Sequence, residues 1–321
     1  MKHKSLICVL LSIILVIHLA SCSIAPMKQK KNIAVIVKSE HSSFWQMVEK
    51  GVNAAATEYN VNFSFEGPLN EEDFEKQNQM IMNAVDRSVD AIVLSAIDYE
   101  KCAKAVTIAT QKGIKIVAID SMVHSSAVPI FIGTDNFGAG KKSANASKDI
   151  FQKDEKIYIG VISCSSDTDN IKQREKGFRE QVSQMENAEI VTVLNVDSNK
   201  ESAENGVWKL LTNYPKINLI VGFNEFITLG IGEAISKMGN KETVHTIGFD
   251  ANPESVNKLE SGDIDTLIVQ NPFSIGYLGI KNAVDLIEGN VTESVIYTQV
   301  SVITKENMFY PENQKLLFDF K

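Results

Sequence analysis

The chain has 321 residues, 44% of them hydrophobic and 22% charged, and a formal net charge of −8. That length accommodates two domains with sizeable cores, and that apolar content excludes a mainly disordered protein. The negative balance argues against nucleic acid as a partner, because a phosphate backbone is bound through clustered Lys and Arg.

Lys2 and Lys4 precede the apolar stretch Leu6 to Leu19, which is too short and too closely followed by polar sequence for a membrane span. Residues 1–21 read as an export signal. Its end, Leu19-Ala20-Ser21-Cys22, resembles the bacterial lipobox, in which the cysteine is diacylated and becomes the mature N-terminus, so Cys22 is the expected lipidation site. Loss of Lys2 and Lys4 moves the formal charge from −8 to about −10. Residues 22–31 are then a polar tether. Cys8 leaves with the signal, and the remaining Cys102 and Cys164 fall in different expected domains, where a disulfide would lock a hinge. Free, buried thiols are expected there.

The folded region opens at Asn32. Ile33 to Val37 is an uninterrupted, mostly β-branched run, as suits a parallel strand covered on both faces by helices. Lys38, Ser39, His41 and Ser42 make its carboxyl end polar. Ser43 with Gln46 has capping-box spacing, Ser42 serves equally as the cap, and Val48, Val52, Ala55, Ala56 and Tyr59 form the buried stripe of a helix. A strand near Asn62 to Glu66, a helix Glu72 to Asp86, a strand Ala91 to Ser95, a helix Tyr99 to Lys112 closed by Gly113, and a strand Ile116 to Ile119 follow. The runs end in Lys38, Glu66, Ser95 and Asp120. Strands joined by helical crossovers must run parallel, so the alternation predicts a doubly wound α/β sheet.

From Pro129 the pattern restarts, with a first passage between lobes near Thr134-Asp135-Asn136. Strands Ile157 to Ile162, Ile190 to Val196, Leu219 to Phe223 and Val244 to Phe249 alternate with helices Ile171 to Met185, Glu201 to Asn213 and Ile227 to Met238. These strands end in Ser163, Asp197, Asn224 and Asp250. A strand ending at Gln270, a helix Phe273 to Glu288 and an extended run Tyr297 to Thr304 complete both sheets through further passages. Met308 to Lys321 is a tail whose Phe309, Tyr310, Leu316, Leu317, Phe318 and Phe320 are expected to pack along a lobe. The predicted organisation is two Rossmann-like lobes joined by a multi-crossing hinge: residues 32–134 with 271–296, and residues 135–270 with 297–321.

Catalysis, cofactors and metals are not expected. His41, His124 and His245 lack metal-ligand spacing, and the chain has no GxSxG elbow, no phosphate loop and no full GxGxxG after a strand. Gly138-Ala139-Gly140 and Gly230-Ile231-Gly232 read as turn or helix-packing features. What remains is a set of polar side chains at strand ends facing a cleft. Asp120, Asn224, Asp250 and Gln270 can each bridge neighbouring hydroxyls, Arg174 offers a planar fork of donors, and Phe44 and Trp45 offer flat apolar faces for a sugar ring. Taken singly, Asp120 or Asp250 could be a turn residue, Arg174 could pair with Glu175 on a helix surface, and Trp45 could belong to the core.

From Asn32 to about Thr304 the chain resembles the type I periplasmic binding proteins of the ribose-binding group. The matching stretches are IAVIVKSEHSSFWQMVEKGV, DAIVLSAID, GIKIVAIDS, IGTDNFGAG, QREKGF, IVGFNE, TIGFDANPE and VQNPFSIGYLG, in that family's order and spacing. The resemblance implies closure of two lobes around one small sugar or sugar-like ligand and delivery to an ABC import permease by an extracytoplasmic, lipid-anchored monomer. The same form could instead report to a histidine kinase or chemoreceptor. Carried over, Phe44 and Trp45 match the family's aromatic pair, Asp120 and Asp250 its carboxylates, Arg174 its arginine, and Asn224 and Gln270 its amides. Lys38, Ser42 and Ser95 occupy further contact positions. Lys38 stands where a small hydroxyl residue would suit ribose, Ser95 replaces an amide, Ser121 replaces an arginine, and Ser198 falls where a third aromatic belongs. A buried Lys38 needs a partner, either Asp120 or an oxygen-rich or anionic ligand. Receptors for the furanosyl signal autoinducer-2 also use a lysine here with an aspartate opposite, so that ligand stays open beside a sugar other than plain ribose.

Overall fold

The computed structural model describes residues 30–164, 167–290 and 293–318. Every described element lies within one compact unit, residues 31–321. The expected signal, Cys22 and all but the last two residues of the tether lie outside the described residues, as does Phe320. No described helix is long and apolar enough to cross a membrane.

The first sheet contains β1 (Asn32–Ile36), β2 (Asn62–Glu66), β3 (Ala91–Leu94), β4 (Lys115–Ile119), β5 (Phe131–Thr134) and β11 (Val295–Thr298). The second contains β6 (Ile157–Cys164), β7 (Ala188–Val196), β8 (Leu219–Gly222), β9 (His245–Phe249), β10 (Thr266–Val269) and β12 (Ser301–Thr304). Their orders, β2-β1-β3-β4-β5-β11 and β7-β6-β8-β9-β10-β12, are the same arrangement twice. All pairings are parallel except β10 with β12, as helical crossovers require. In each sheet the order reverses beside the first strand, between β1 and β3 and between β6 and β8. At such a reversal successive helices leave to opposite faces and open a crevice at the strands' carboxyl ends.

The helices are α1 (Ser43–Glu58), α2 (Phe74–Asp86), α3 (Ala103–Gln111), α4 (Asn136–Ile150), α5 (Asp169–Val182), α6 (Lys200–Asn213), α7 (Glu225–Met238), α8 (Pro253–Ser261), α9 (Pro272–Glu288) and α10 (Pro311–Leu317). They bury both faces of each sheet, and the strand interiors are accordingly apolar on both sides. Ser42, not Ser43, caps α1, its hydroxyl accepting from Trp45 N at 3.2 Å. One close approach matters for the site. A Cβ on Gly140 of α4 would lie 2.0 Å from the Arg174 carbonyl oxygen of α5, so only glycine lets these helices meet backbone to backbone.

Several boundaries differ from expectation. The helix expected from Glu72 starts at Phe74, because the Asp73 side chain caps it by accepting from Lys76 N; Glu71 and Glu72 are therefore loop residues. Residues 99–102 form turns ahead of α3. Helix α8 was not anticipated, although Asn252, Pro253 and Gly262 carry its cap, first-turn proline and left-handed stop. The third passage between sheets falls after Thr298, since Tyr297 and Thr298 pair with Gly133 and Thr134 in the first sheet. In the tail, Met308 and Leu317 join the second sheet's core, whereas Phe309 and Tyr310 are more than half exposed. Cys102 and Cys164 are free and buried.

Candidate functional site

The first wall of the crevice grows from the ends of β1, β3 and β4. Lys38, Ser95 and Asp120 follow these neighbouring strands and are almost fully buried together. Lys38 Nζ lies 3.0 Å from Asp120 Oδ2, and Ser95 Oγ donates to the same oxygen at 3.0 Å. Asp120 has φ of 57°, a left-handed conformation that Asp tolerates better than most residues and that is often kept where a site demands it. At the start of α1, Phe44 and Trp45 meet edge to face with centroids 4.9 Å apart. Trp45 Nε1 donates to Glu71 Oε1 at 2.9 Å.

The second wall is supplied by α5, α7 and the ends of β8, β9 and β10. Asn170 and Arg174 are one turn apart on α5 and share its cleft-facing side. Asn170 Nδ2 donates to both Asp120 oxygens, at 3.0 and 3.1 Å, and its Oδ1 accepts from Lys38 Nζ at 3.2 Å, so this amide spans the two walls. Arg174 is 1% exposed, stacks over Phe249, and donates to Asn136 Oδ1, Phe223 O and Gln270 Oε1 at 2.9, 2.7 and 2.7 Å. Gln270 ties the hinge together: its Oε1 also accepts from Thr134 Oγ1 at 2.7 Å and its Nε2 donates to Asp250 Oδ1 at 2.6 Å. Asp250 has φ of 70°, mirroring Asp120 at the corresponding place in the other sheet. Asn224 is both cap and wall, accepting from Ile227 N at 2.9 Å and donating to Ser198 Oγ at 2.7 Å.

Further bonds fasten one wall to the other. Glu225, the first residue of α7, accepts from Ser43 N at 3.2 Å and Phe44 N at 3.1 Å, placing its carboxylate on the positive end of α1. Ser198 N donates to Glu72 Oε1 at 2.8 Å, and Ser198 Oγ to Glu71 Oε2 at 3.2 Å. Burial is the dominant influence on the acids here. It pushes Asp250 up from 3.8 to about 7 against the pull of Arg174, and raises Glu225 despite the bonds from Asn252 and the two amides. It likewise pushes the Cys164 thiol up to about 12, which makes that thiol inert as a nucleophile. The crevice is lined by carboxylates, amides, two cations and the rings of Phe44, Trp45 and Phe226. Hydrogen-bonding groups around apolar faces suit a small polyhydroxylated solute.

The model of the periplasmic binding protein domain matches residues 33–290. The chain belongs to the periplasmic binding protein family. Among curated relatives of this binding protein, the ribose import binding protein of Bacillus subtilis (strain 168) is 24% identical over 281 residues, covering 87% of this chain and 89% of the relative. Among solved structures, a carbohydrate transporter solute-binding protein from Agrobacterium radiobacter in complex with D-arabinose is 29% identical. It aligns with a TM-score of 0.87 over 91% of this chain and 100% of its own. An ABC transporter solute-binding protein from Agrobacterium vitis with bound D-fucose is 32% identical, with a TM-score of 0.85 over 89% of this chain and 100% of its own.

In this binding protein, Lys38, Ser42, Phe44, Trp45, Asp120, Arg174, Asn224, Asp250 and Gln270 all line the crevice. Ser95 does not; it stands one layer behind, holding Asp120. Arg174 does not pair with Glu175, which instead accepts from Ser163 Oγ and Arg179 Nε. Glu71, Asn170, Ile171, Glu225 and Phe226 line the crevice without having been anticipated. Glu71 lies ahead of the helix in either reading and had no local signal, and starting α5 at Ile171 concealed Asn170. Glu225 and Phe226 directly follow the capping amide Asn224, which was the available signal.

Proposed function

We propose that this binding protein captures one small sugar or sugar-like ligand between its lobes and hands it to the permease of an ABC importer, while tethered outside the cell membrane by a diacylated Cys22. The observation that carries the reading is the meeting of Asp120 and Asp250, from corresponding strand ends of the two sheets, with Arg174 and the Phe44-Trp45 pair in one crevice. The bound D-arabinose and D-fucose of the two structural relatives support a sugar ligand. The Bacillus relative, a ribose import binding protein, supports an import role.

Closure follows from the contacts already described. Glu225, Ser198 and Asn170 reach groups on the first wall, so a ligand gripped by both walls adds its own bonds to the closed form and shifts the open–closed equilibrium towards it. Arg174 is held in place by three acceptors and is preorganised for a ligand oxygen. A diacylated cysteine carries two chains, enough for stable membrane anchoring.

Thermal-shift screening against pentoses, hexoses, amino sugars, sugar phosphates and polyols tests the reading. At least one polyhydroxylated compound is expected to raise the melting temperature, and Arg174→Ala is expected to abolish that rise. A response to no sugar or polyol refutes it. Metabolic labelling with a fatty-acid analogue is expected to mark the wild-type chain and not Cys22→Ala.

A further inference from the structure

We propose that the crevice is matched to a polyhydroxylated amine, a sugar-like ligand bearing a protonated amino group, and that it excludes sugar acids and sugar phosphates. This rests on the sugar-binding reading and assigns the charge of its ligand. Four carboxylates, Glu71, Asp120, Glu225 and Asp250, line the crevice against two cations, Lys38 and Arg174.

Neither cation outweighs these acids. Lys38 is neutralised by Asp120 at 3.0 Å, which removes the need for an anionic ligand to pair it. Arg174 is held through Nε, Nη1 and Nη2 by Asn136, Phe223 and Gln270, lies 4.0 Å from Asp120 Oδ1, and keeps its charge and two N–H donors. The other three carboxylates are held by neutral donors: Glu71 by Trp45 Nε1 and Ser198 Oγ, Glu225 by two amides and Asn252 Nδ2, Asp250 by Gln270 Nε2. The positive end of α1 offsets part of the Glu225 charge, and Arg174 acts on Asp250 from nearby without outweighing its burial. With all four acids ionised an excess of negative charge remains; burial raises Asp250 and Glu225, and the neighbouring carboxylates add to it.

An incoming carboxylate or phosphate meets one cation not paired with its own carboxylate, Arg174, against three carboxyl groups held only by neutral donors, Glu71, Glu225 and Asp250. An ammonium has the opposite fit: it supplies the missing charge and three donors to carboxylate oxygens, beside aromatic rings that also tolerate a cation. Among the described residues no group of three or more His, Cys, Asp and Glu is arranged to hold a metal ion.

The test is calorimetric titration of the full-length chain in mild detergent with matched families: glucose, glucosamine, glucuronate and glucose 6-phosphate; the galactose counterparts; and sorbitol with its 1-amino derivative. In the family that binds, the amine is expected to bind at least tenfold tighter than the neutral parent, with no detectable binding of the acid or phosphate. Glu71→Gln and Asp250→Asn are each expected to bring the amine-to-neutral ratio towards one. A neutral parent that binds as tightly as its amine overturns this inference and leaves sugar binding intact, and a tighter acid or phosphate does the same. Binding by no family member, together with no response in the thermal-shift screen, overturns the sugar-binding reading and this inference together.

Discussion

Replacing Asp250 with Asn exchanges a buried carboxyl for an amide of the same shape, and the structure sets the size and sign of the effect. Asn accepts the left-handed backbone at this position, and its Oδ1 can keep the bond from Gln270 Nε2. Burial raises the carboxyl from 3.8 to about 7, and at roughly 1.4 kcal/mol per pH unit the ionised form costs the folded protein about 4 kcal/mol. Because the folded value lies above the unfolded one, the contribution of this group is fully present below the unfolded value, near pH 4. It is lost as pH rises through about 7. Wild-type protein is therefore expected to lose a few kcal/mol from this source between pH 4 and 8, and Asp250→Asn to be free of that loss. Urea unfolding of both proteins at pH 5, 6, 7 and 8 measures it. The variant should approach the wild type at pH 5 and exceed it by a few kcal/mol at pH 8, while losing ligand affinity. A variant less stable than wild type by the same amount at every pH refutes the reasoning, because Arg174 would then have kept Asp250 ionised throughout.

Glu225→Gln removes the charge from the amino end of α1 and should weaken closure by about 1–2 kcal/mol. Ligand affinity should fall about tenfold by calorimetry, at 1.4 kcal/mol per tenfold; an affinity within twofold of wild type contradicts the latch. Gly140→Ala places a Cβ 2.0 Å from the Arg174 carbonyl oxygen. It should cost roughly 1–3 kcal/mol in urea unfolding and reduce affinity by shifting α5, whereas an unchanged urea midpoint would show that the helices separate freely. Lys38→Ser leaves Asp120 buried without its ammonium and should cost roughly 3–5 kcal/mol. Adding Asp120→Asn should recover much of that; no recovery means that Lys38 acts through packing alone. A shift of Lys38→Ser towards neutral pentoses in the thermal-shift screen would show that the ammonium also sets specificity.

The repeating strand–helix units were legible because each leaves a periodic trace in its own residues. Ile33 to Val37 and Ala91 to Leu94 are continuous apolar runs of the kind only a doubly covered parallel strand tolerates. The polar residue after a run marked Lys38, Asp120, Asn224, Asp250 and Gln270, since parallel strands present their carboxyl ends to one edge, whereas the other lining residues come from helices and loops. The failures came where local patterns competed. The helix expected from Glu72 begins at Phe74 behind the Asp73 cap, and nothing local shows that Glu71, ahead of either start, reaches Trp45 and Ser198. Ser95 has the right position and the wrong layer, because its short side chain stops at Asp120.

By itself the sequence determined two doubly wound lobes, the edge at which a ligand meets them, and the chemical character of that edge, because these depend on periodicity and on which residue follows each strand. Tertiary structure alone decided that Asp120 neutralises Lys38, that Asn170 and Glu225 fasten the lobes to each other, and that Arg174 is held by hinge acceptors. Those outcomes depend on distances between residues some 50 to 180 positions apart and on how far water is excluded from them, and neither quantity has a local signature in the chain.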